Sequence, residues 1–197
     1  EERYVFYKKY RSGRLFSIAA DCSQDRAIFV TKPQPCLGYA LCMKKAVTVS
    51  GTTITVETTV ENVGERQVTL EEYCHNFLTI DGMALGPGYR LSMPSIPNQG
   101  TAPKTGRDGN PTFFLGCGKG LTFDSFSPVP AGCTIGTENL DAGLPFCWQL
   151  SYGETGAFVS GRDYFVPSRI YVWAADHMVC PEIFHQFTLP QGCSHSW

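Results

Sequence analysis

The chain has 197 residues, 43% of them hydrophobic and 17% charged, which is enough apolar content for one sizeable core and unlike a disordered tail. A formal charge of −2 leaves no basic face for a phosphate backbone, which argues against nucleic acid as a partner. No apolar run approaches the roughly 18 residues of a membrane span, and the charged, aromatic start EERYVFYKKYRSGR does not read as a cleavable signal, so a cytoplasmic protein with no membrane partner is expected.

In chain order, strand signals come first at Leu15–Ala20 and Arg26–Thr31. The clearest follows at Thr52–Asn62, TTITVETTVEN, where Ile54, Val56 and Val60 alternate with Thr53, Thr55, Glu57 and Glu61. Asn62-Val63-Gly64-Glu65 reads as a turn, and RQVTLEEYCHNF begins another strand, so a β-hairpin is expected over 44–77. The stretch Pro94–Pro111 is rich in Pro, Gly, Asn and Thr and reads as a long loop, of a length usually tied to function or mobility. Further strands are expected at Thr112–Leu115, Gly120–Phe126, Phe146–Ser151, Ala157–Ser160, Arg169–Trp173 and Met178–Leu189. No window of 11 or more residues carries helical apolar spacing, and 20 Gly with 13 Pro punctuate the chain. Many short antiparallel strands imply an all-β fold, a sandwich or barrel, over residues 1–197 as a single domain.

The nine cysteines lie at 22, 36, 42, 74, 117, 133, 147, 180 and 193, an odd count with no CxxC spacing. That pattern suits neither a disulfide scaffold nor a zinc finger, and reduced, mostly buried thiols are expected.

Two strands carry the chemistry. Regular alternation over 67–75 puts Val68, Leu70 and Cys74 on one face and Gln67, Thr69, Glu71, Tyr73 and His75 on the other, with Glu72 breaking the apolar set. In VCPEIFHQFTLPQG, Cys180, Glu182, Phe184, Gln186 and Thr188 share one face, while Val179, Pro181, Ile183, Phe187 and Leu189 share the other with His185. An imidazole, His75, and a carboxylate, Glu182, thus sit on polar, aromatic-lined faces from which they could converge on a small ligand. Each also has a plainer reading, as a turn histidine and a solvated glutamate. His177 and His195 have no such context.

The stretch VENVGERQVTLEEYCHNFLTIDGMALGPGYRL resembles a segment of the galactose mutarotase-like (aldose 1-epimerase) superfamily, in which an N-x-G turn leads into a strand ending in a histidine. YVWAADHMVCPEIFHQFTLPQG is similar to that family's late block, where a glutamate opens a short run closed by a proline–glycine turn. The likeness spans roughly residues 36 to 193. It implies a β-supersandwich of mostly antiparallel strands and the interconversion of α and β anomers of a hexose or hexose derivative, without cofactor or metal. By motif position Glu182 becomes the general base and His75 the general acid, with a carboxylate pKa raised by desolvation beside Phe184 and Trp173. Asn76, Tyr89, Arg90 and Asp163 are candidates to hydrogen-bond sugar hydroxyls and Trp173 to stack on a pyranose, although turn, salt-bridge and core roles suit them equally. The family's N-terminal arginine and second histidine have no counterpart before His75 unless Arg11 or Arg14 substitutes, so a short member lacking the N-terminal strands and the last strand is expected. A phosphosugar would want a basic cluster, for which Lys104, Arg107, Arg162 and Arg169 are too scattered. The alternatives are a non-catalytic carbohydrate-binding or sugar-sensing domain, and a purely structural β-domain in which neither side chain faces a groove.

Overall fold

A computed structural model describes residues 16–94, 114–117, 120–123, 131–135, 137, 140, 145–153 and 155–197. The expected loop after Pro94, and Arg11, Arg14, Lys104, Arg107 and Cys117's side chain with them, lie outside what it describes. Among the described residues there are strands and no helix. They are β1 (Ile18–Cys22), β2 (Arg26–Thr31), β3 (Leu41–Ser50), β4 (Thr53–Asn62), β5 (Val68–Glu72), β6 (Tyr89–Ser92) and β7 (Phe114–Cys117). The second half adds β8 (Gly120–Phe123), β9 (Ala131–Ile135), β10 (Phe146–Tyr152), β11 (Phe158–Asp163), β12 (Arg169–Ala175), β13 (Met178–Leu189) and β14 (Ser194–Ser196). None of these residues builds a helix long and apolar enough to cross a membrane.

The chain divides into two compact units, Glu1–Thr69 with Thr188–Trp197, and Leu70–Phe187. The first carries the five-stranded sheet β1-β2-β3-β4-β14, antiparallel throughout. Its long hairpin is β3–β4, which turns at Gly51 with φ 57, a left-handed angle that glycine adopts without strain. This corrects the expected hairpin over 44–77, because β4 and β5 belong to different sheets. The divergence starts at Asn62, fully buried, whose side-chain amide donates to the carbonyls of Arg66 and Leu189 while its oxygen accepts from the Gly64 N–H. Those bonds satisfy the turn's backbone and steer the chain away from β4.

The second unit is a sandwich of the sheets β11-β10-β6-β8-β7 and β5-β13-β12-β9. Alternate residues of facing strands fill its core: Leu91, Leu121, Phe123 and Leu150 from one sheet, Ile135, Ile170, Val172, Val179 and Ile183 from the other. Alternation thus assigns the faces of β13 correctly, with Val179 and Ile183 inward and Cys180, Glu182 and Phe184 on the opposite side.

The thiols differ from expectation. Of the described cysteines, Cys133 and Cys180 are buried, while Cys22, Cys36, Cys74 and Cys193 are exposed. These four sit at a strand end, in tight turns, or in the irregular segment after β5, where little packs over them.

Candidate functional site

The site grows from a defect in the ladder. Leu78 and Val179 exchange both backbone hydrogen bonds, at 2.9 and 3.0 Å, so Val179 turns its N–H and C=O toward the β5 side of β13. Two residues on, Pro181 faces the same way, and it has no N–H to give. Its partner by register is Asn76. Residues 73–77 accordingly lie outside any strand, between the end of β5 and the Leu78 bridge. Asn76's own N–H turns to the Cys180 sulfur instead.

Register nevertheless persists. Counting three residues back from Leu78 and three on from Val179 sets His75 opposite Glu182, and His75 Nδ1 lies 3.2 Å from Glu182 Oε1. Two residues further, Tyr73 stacks on Phe184 with centroids 4.2 Å apart. The antiparallel pairing of β12 with β13 matches Arg169 with Phe184, Tyr171 with Glu182 and Trp173 with Cys180, which brings those three β12 side chains to the same face.

Aromatic rings hold the imidazole. His75 stacks on Phe77 at 5.2 Å and meets the edge of Tyr73 at 5.1 Å, and Phe77 in turn meets Trp173 edge-on at 5.9 Å. On β9, opposite Trp173, a side-chain carbon at Gly132 would collide with the Tyr171 hydroxyl, so glycine there makes room for the phenol. The face was expected to be wet and is so only in part: the His75 side chain is 49% exposed and that of Glu182 only 7%.

Burial sets the electrostatics. Glu182's carboxyl is pushed above the ordinary carboxylate range by desolvation, with the His75 imidazole and the Arg169 guanidinium pulling it partly back. Arg169 lies 3.7 Å over the Phe184 ring and donates to Glu71 Oε2 at 3.1 Å. The Cys180 thiol is pushed up to about 12, first by burial and then by the nearby Glu182 charge, and it sits 3.5 Å from His75 Nδ1. It is a neutral thiol.

Of the sequence-derived candidates, the structure therefore brings together His75, Glu182 and Trp173. Asn76 adds a backbone amide. Tyr89 goes elsewhere: it is a core residue, 1% exposed, whose hydroxyl donates to the Met83 carbonyl at 2.9 Å and accepts from the Ile80 N–H at 3.1 Å, closing the turn before β6. Arg90, next on β6, is exposed and donates to Ser92 Oγ at 3.2 Å. Asp163 ends β11 opposite Phe146, its Oδ2 buried without a hydrogen-bond partner; burial raises its pKa to about 6, the Trp148 indole opposing and the Glu72 charge adding. Sequence reasoning missed Arg169, Tyr73, Phe77 and Cys180 as neighbours of the pair. Cys180 and Tyr73 carried a signal, since alternation already placed them on the faces of Glu182 and His75.

No family model matches the chain, and no curated protein does. Solved structures do. A galactose mutarotase-like protein from Clostridium acetobutylicum superposes with a TM-score of 0.59 at 13% identity, over 92% of this chain and 64% of that one. The fold is that of the galactose mutarotase-like proteins. A second mutarotase-like structure, from Lactobacillus casei ATCC 334, superposes with a TM-score of 0.53 at 13% identity, over 92% of this chain and 70% of its own. The chain thus spans about two thirds of the length of these mutarotase-like relatives. At this identity the likeness is one of fold, and it agrees with the all-β architecture and the resemblance carried by the two sequence blocks.

Proposed function

We propose that the protein is an aldose 1-epimerase that interconverts the α and β anomers of a hexose or hexose derivative. One observation carries the reading: a buried carboxylate with a raised pKa in contact with a half-exposed imidazole, inside a ring of aromatic side chains on a mutarotase-like fold. The two oxygens that must change protonation, the anomeric hydroxyl and the ring oxygen, are bonded to the same carbon. An acid and a base in contact are therefore suitably placed, and a wider separation is not needed.

Ionised Glu182 takes the proton of the anomeric hydroxyl while protonated His75 delivers one to the ring oxygen, and the bond from C1 to the ring oxygen breaks. The aldehyde rotates about C1–C2. Closure reverses both transfers on the other face, so Glu182 ends ionised and His75 protonated, ready for another cycle. Burial of Glu182 favours the step by raising its basicity toward neutral pH. Trp173 and Phe77 offer apolar faces to a pyranose, and Arg169 sets a cation beside Glu182.

Polarimetry of freshly dissolved α-glucose and α-galactose tests this. Glu182→Gln and His75→Asn should each slow catalysed mutarotation by at least about 100-fold, the scale of general acid–base assistance. Wild-type protein that leaves the spontaneous rate unchanged, yet binds sugar by calorimetry, would support the sugar-binding reading, which the stacking surface of Phe77 and Trp173 favours.

A further inference from the structure

We propose that His75, Cys180 and Glu182 form a binding site for Zn²⁺ or a similar borderline-soft divalent cation, with one coordination position open. The resemblance implies no metal; this chain's own donors point to one. His75 Nδ1, Cys180 Sγ and a Glu182 carboxylate oxygen all lie within 4.8 Å of one another. Nδ1 is 3.2 Å from Glu182 Oε1 and 3.5 Å from Cys180 Sγ. Tetrahedral zinc, with bonds near 2.0–2.1 Å to nitrogen, 2.0–2.2 Å to oxygen and 2.3 Å to sulfur, sets neighbouring N and O about 3.4 Å apart and N and S about 3.6 Å apart. The chain already holds both pairs within about 0.2 Å of those spacings, and the sulfur and the carboxylate oxygen, within 4.8 Å of each other, come to about 3.6 Å as the ion binds.

Donor type narrows the cation. One sulfur, one imidazole nitrogen and one carboxylate oxygen suit Zn²⁺ and Co²⁺ and disfavour Mg²⁺ and Ca²⁺, which select oxygen cages. Three protein ligands leave the fourth position for water or a substrate oxygen, the arrangement of catalytic rather than structural zinc. Two of the donors are buried and rigid on β13, while half-exposed His75 gives the ion access from solvent. The thiol proton leaves to solvent as the sulfur–metal bond forms, and the sulfur remains at the same oxidation level. A bound ion would occupy the imidazole nitrogen and the carboxylate that share the proton work, so zinc would act as an inhibitor. That last consequence rests on the proposed mutarotation; binding itself does not.

The test adds Co²⁺ to the full-length, thiol-reduced protein and reads absorbance without any sugar. A near-ultraviolet sulfur-to-cobalt band with strong visible four-coordinate bands, saturating at one equivalent and displaced by Zn²⁺ but not by Mg²⁺, is expected. Cys180→Ser should abolish the sulfur band, and Cys74→Ser should keep it. His75→Ala, a change at a half-exposed position that leaves the fold intact, should weaken Zn²⁺ binding at least about 100-fold by calorimetry, beyond the 10–100-fold typical of outer-sphere changes. A sulfur band that survives Cys180→Ser, equal displacement by Mg²⁺, or unchanged Zn²⁺ affinity in His75→Ala would overturn the site. Polarimetry with and without Zn²⁺ then reads inhibition separately, so failure of the mutarotase reading leaves the absorbance result standing.

Discussion

Glu182 and Asp163 show how one physical cause, desolvation, serves different ends at two residues. At Glu182 it raises the basicity of a carboxylate in contact with an imidazole. Catalysed mutarotation should therefore fall on the acid side with an inflection above 4.5, the ordinary value for a glutamate, in a kcat/KM profile. An inflection at or below that value would remove burial as the tuning device. At Asp163 burial looks like a plain cost. Its folded pKa of about 6 exceeds the ordinary 3.8, so the folded state binds the proton more tightly than the unfolded chain. The ionised form accordingly costs stability above pH 6, and the cost is relieved as pH falls from about 6 toward about 4. Asp163→Asn should raise the stability of the second unit by about 1–2 kcal/mol at pH 8, less than the roughly 3 kcal/mol that the shift alone represents because an amide must still be buried. In thermal denaturation the gain should vanish near pH 4.

Among elements, β13 explains most of what positions the pair. Its bounds, Met178–Leu189, and the face of Glu182 were legible in the sequence because a long alternating strand advertises both. The company Glu182 keeps was not, since register with β12 is a long-range property, and Arg169 reaches this face only through its pairing with Phe184. The hairpin over 44–77 misled for a related reason. Two neighbouring amphipathic strands around a turn signal look paired, while the bonds that separate them come from the Asn62 side chain and a carbonyl at Leu189, over a hundred residues away. Pro181 makes a testable case. Pro181→Ala restores an N–H aimed at Asn76, so amide exchange across 73–77 should slow as the ladder closes. Stability should hardly move, because a net hydrogen bond of about 0.5–1.5 kcal/mol is offset by roughly 0.4–1 kcal/mol of regained unfolded-state freedom. Unchanged exchange would show that something other than the missing donor keeps this segment irregular.

On the scale of the whole molecule, composition and alternation made the all-β class legible, and the two sequence blocks made the mutarotase-like fold legible despite 13% identity to its solved relatives. The division into two units was not legible, since it depends on which sheets the strands join rather than on where they lie in the chain. The second unit's stability should sit in its shared core. Leu150→Ala, at a fully buried position, should cost about 2–5 kcal/mol in denaturant unfolding of that unit.

Residues 179 to 185 of β13 are buried on both faces, one against the core and the other in the site. A strand used on both sides has no neutral shift available: moving its register by one residue would present Ile183 to the candidate site and press Glu182 into the hydrocarbon interior. Insertions and deletions within these seven positions should therefore be lethal to folding before they are lethal to chemistry. A library of length variants would find its tolerated sites on either side of this segment, and Glu182 would be inherited as one piece with the core that backs it.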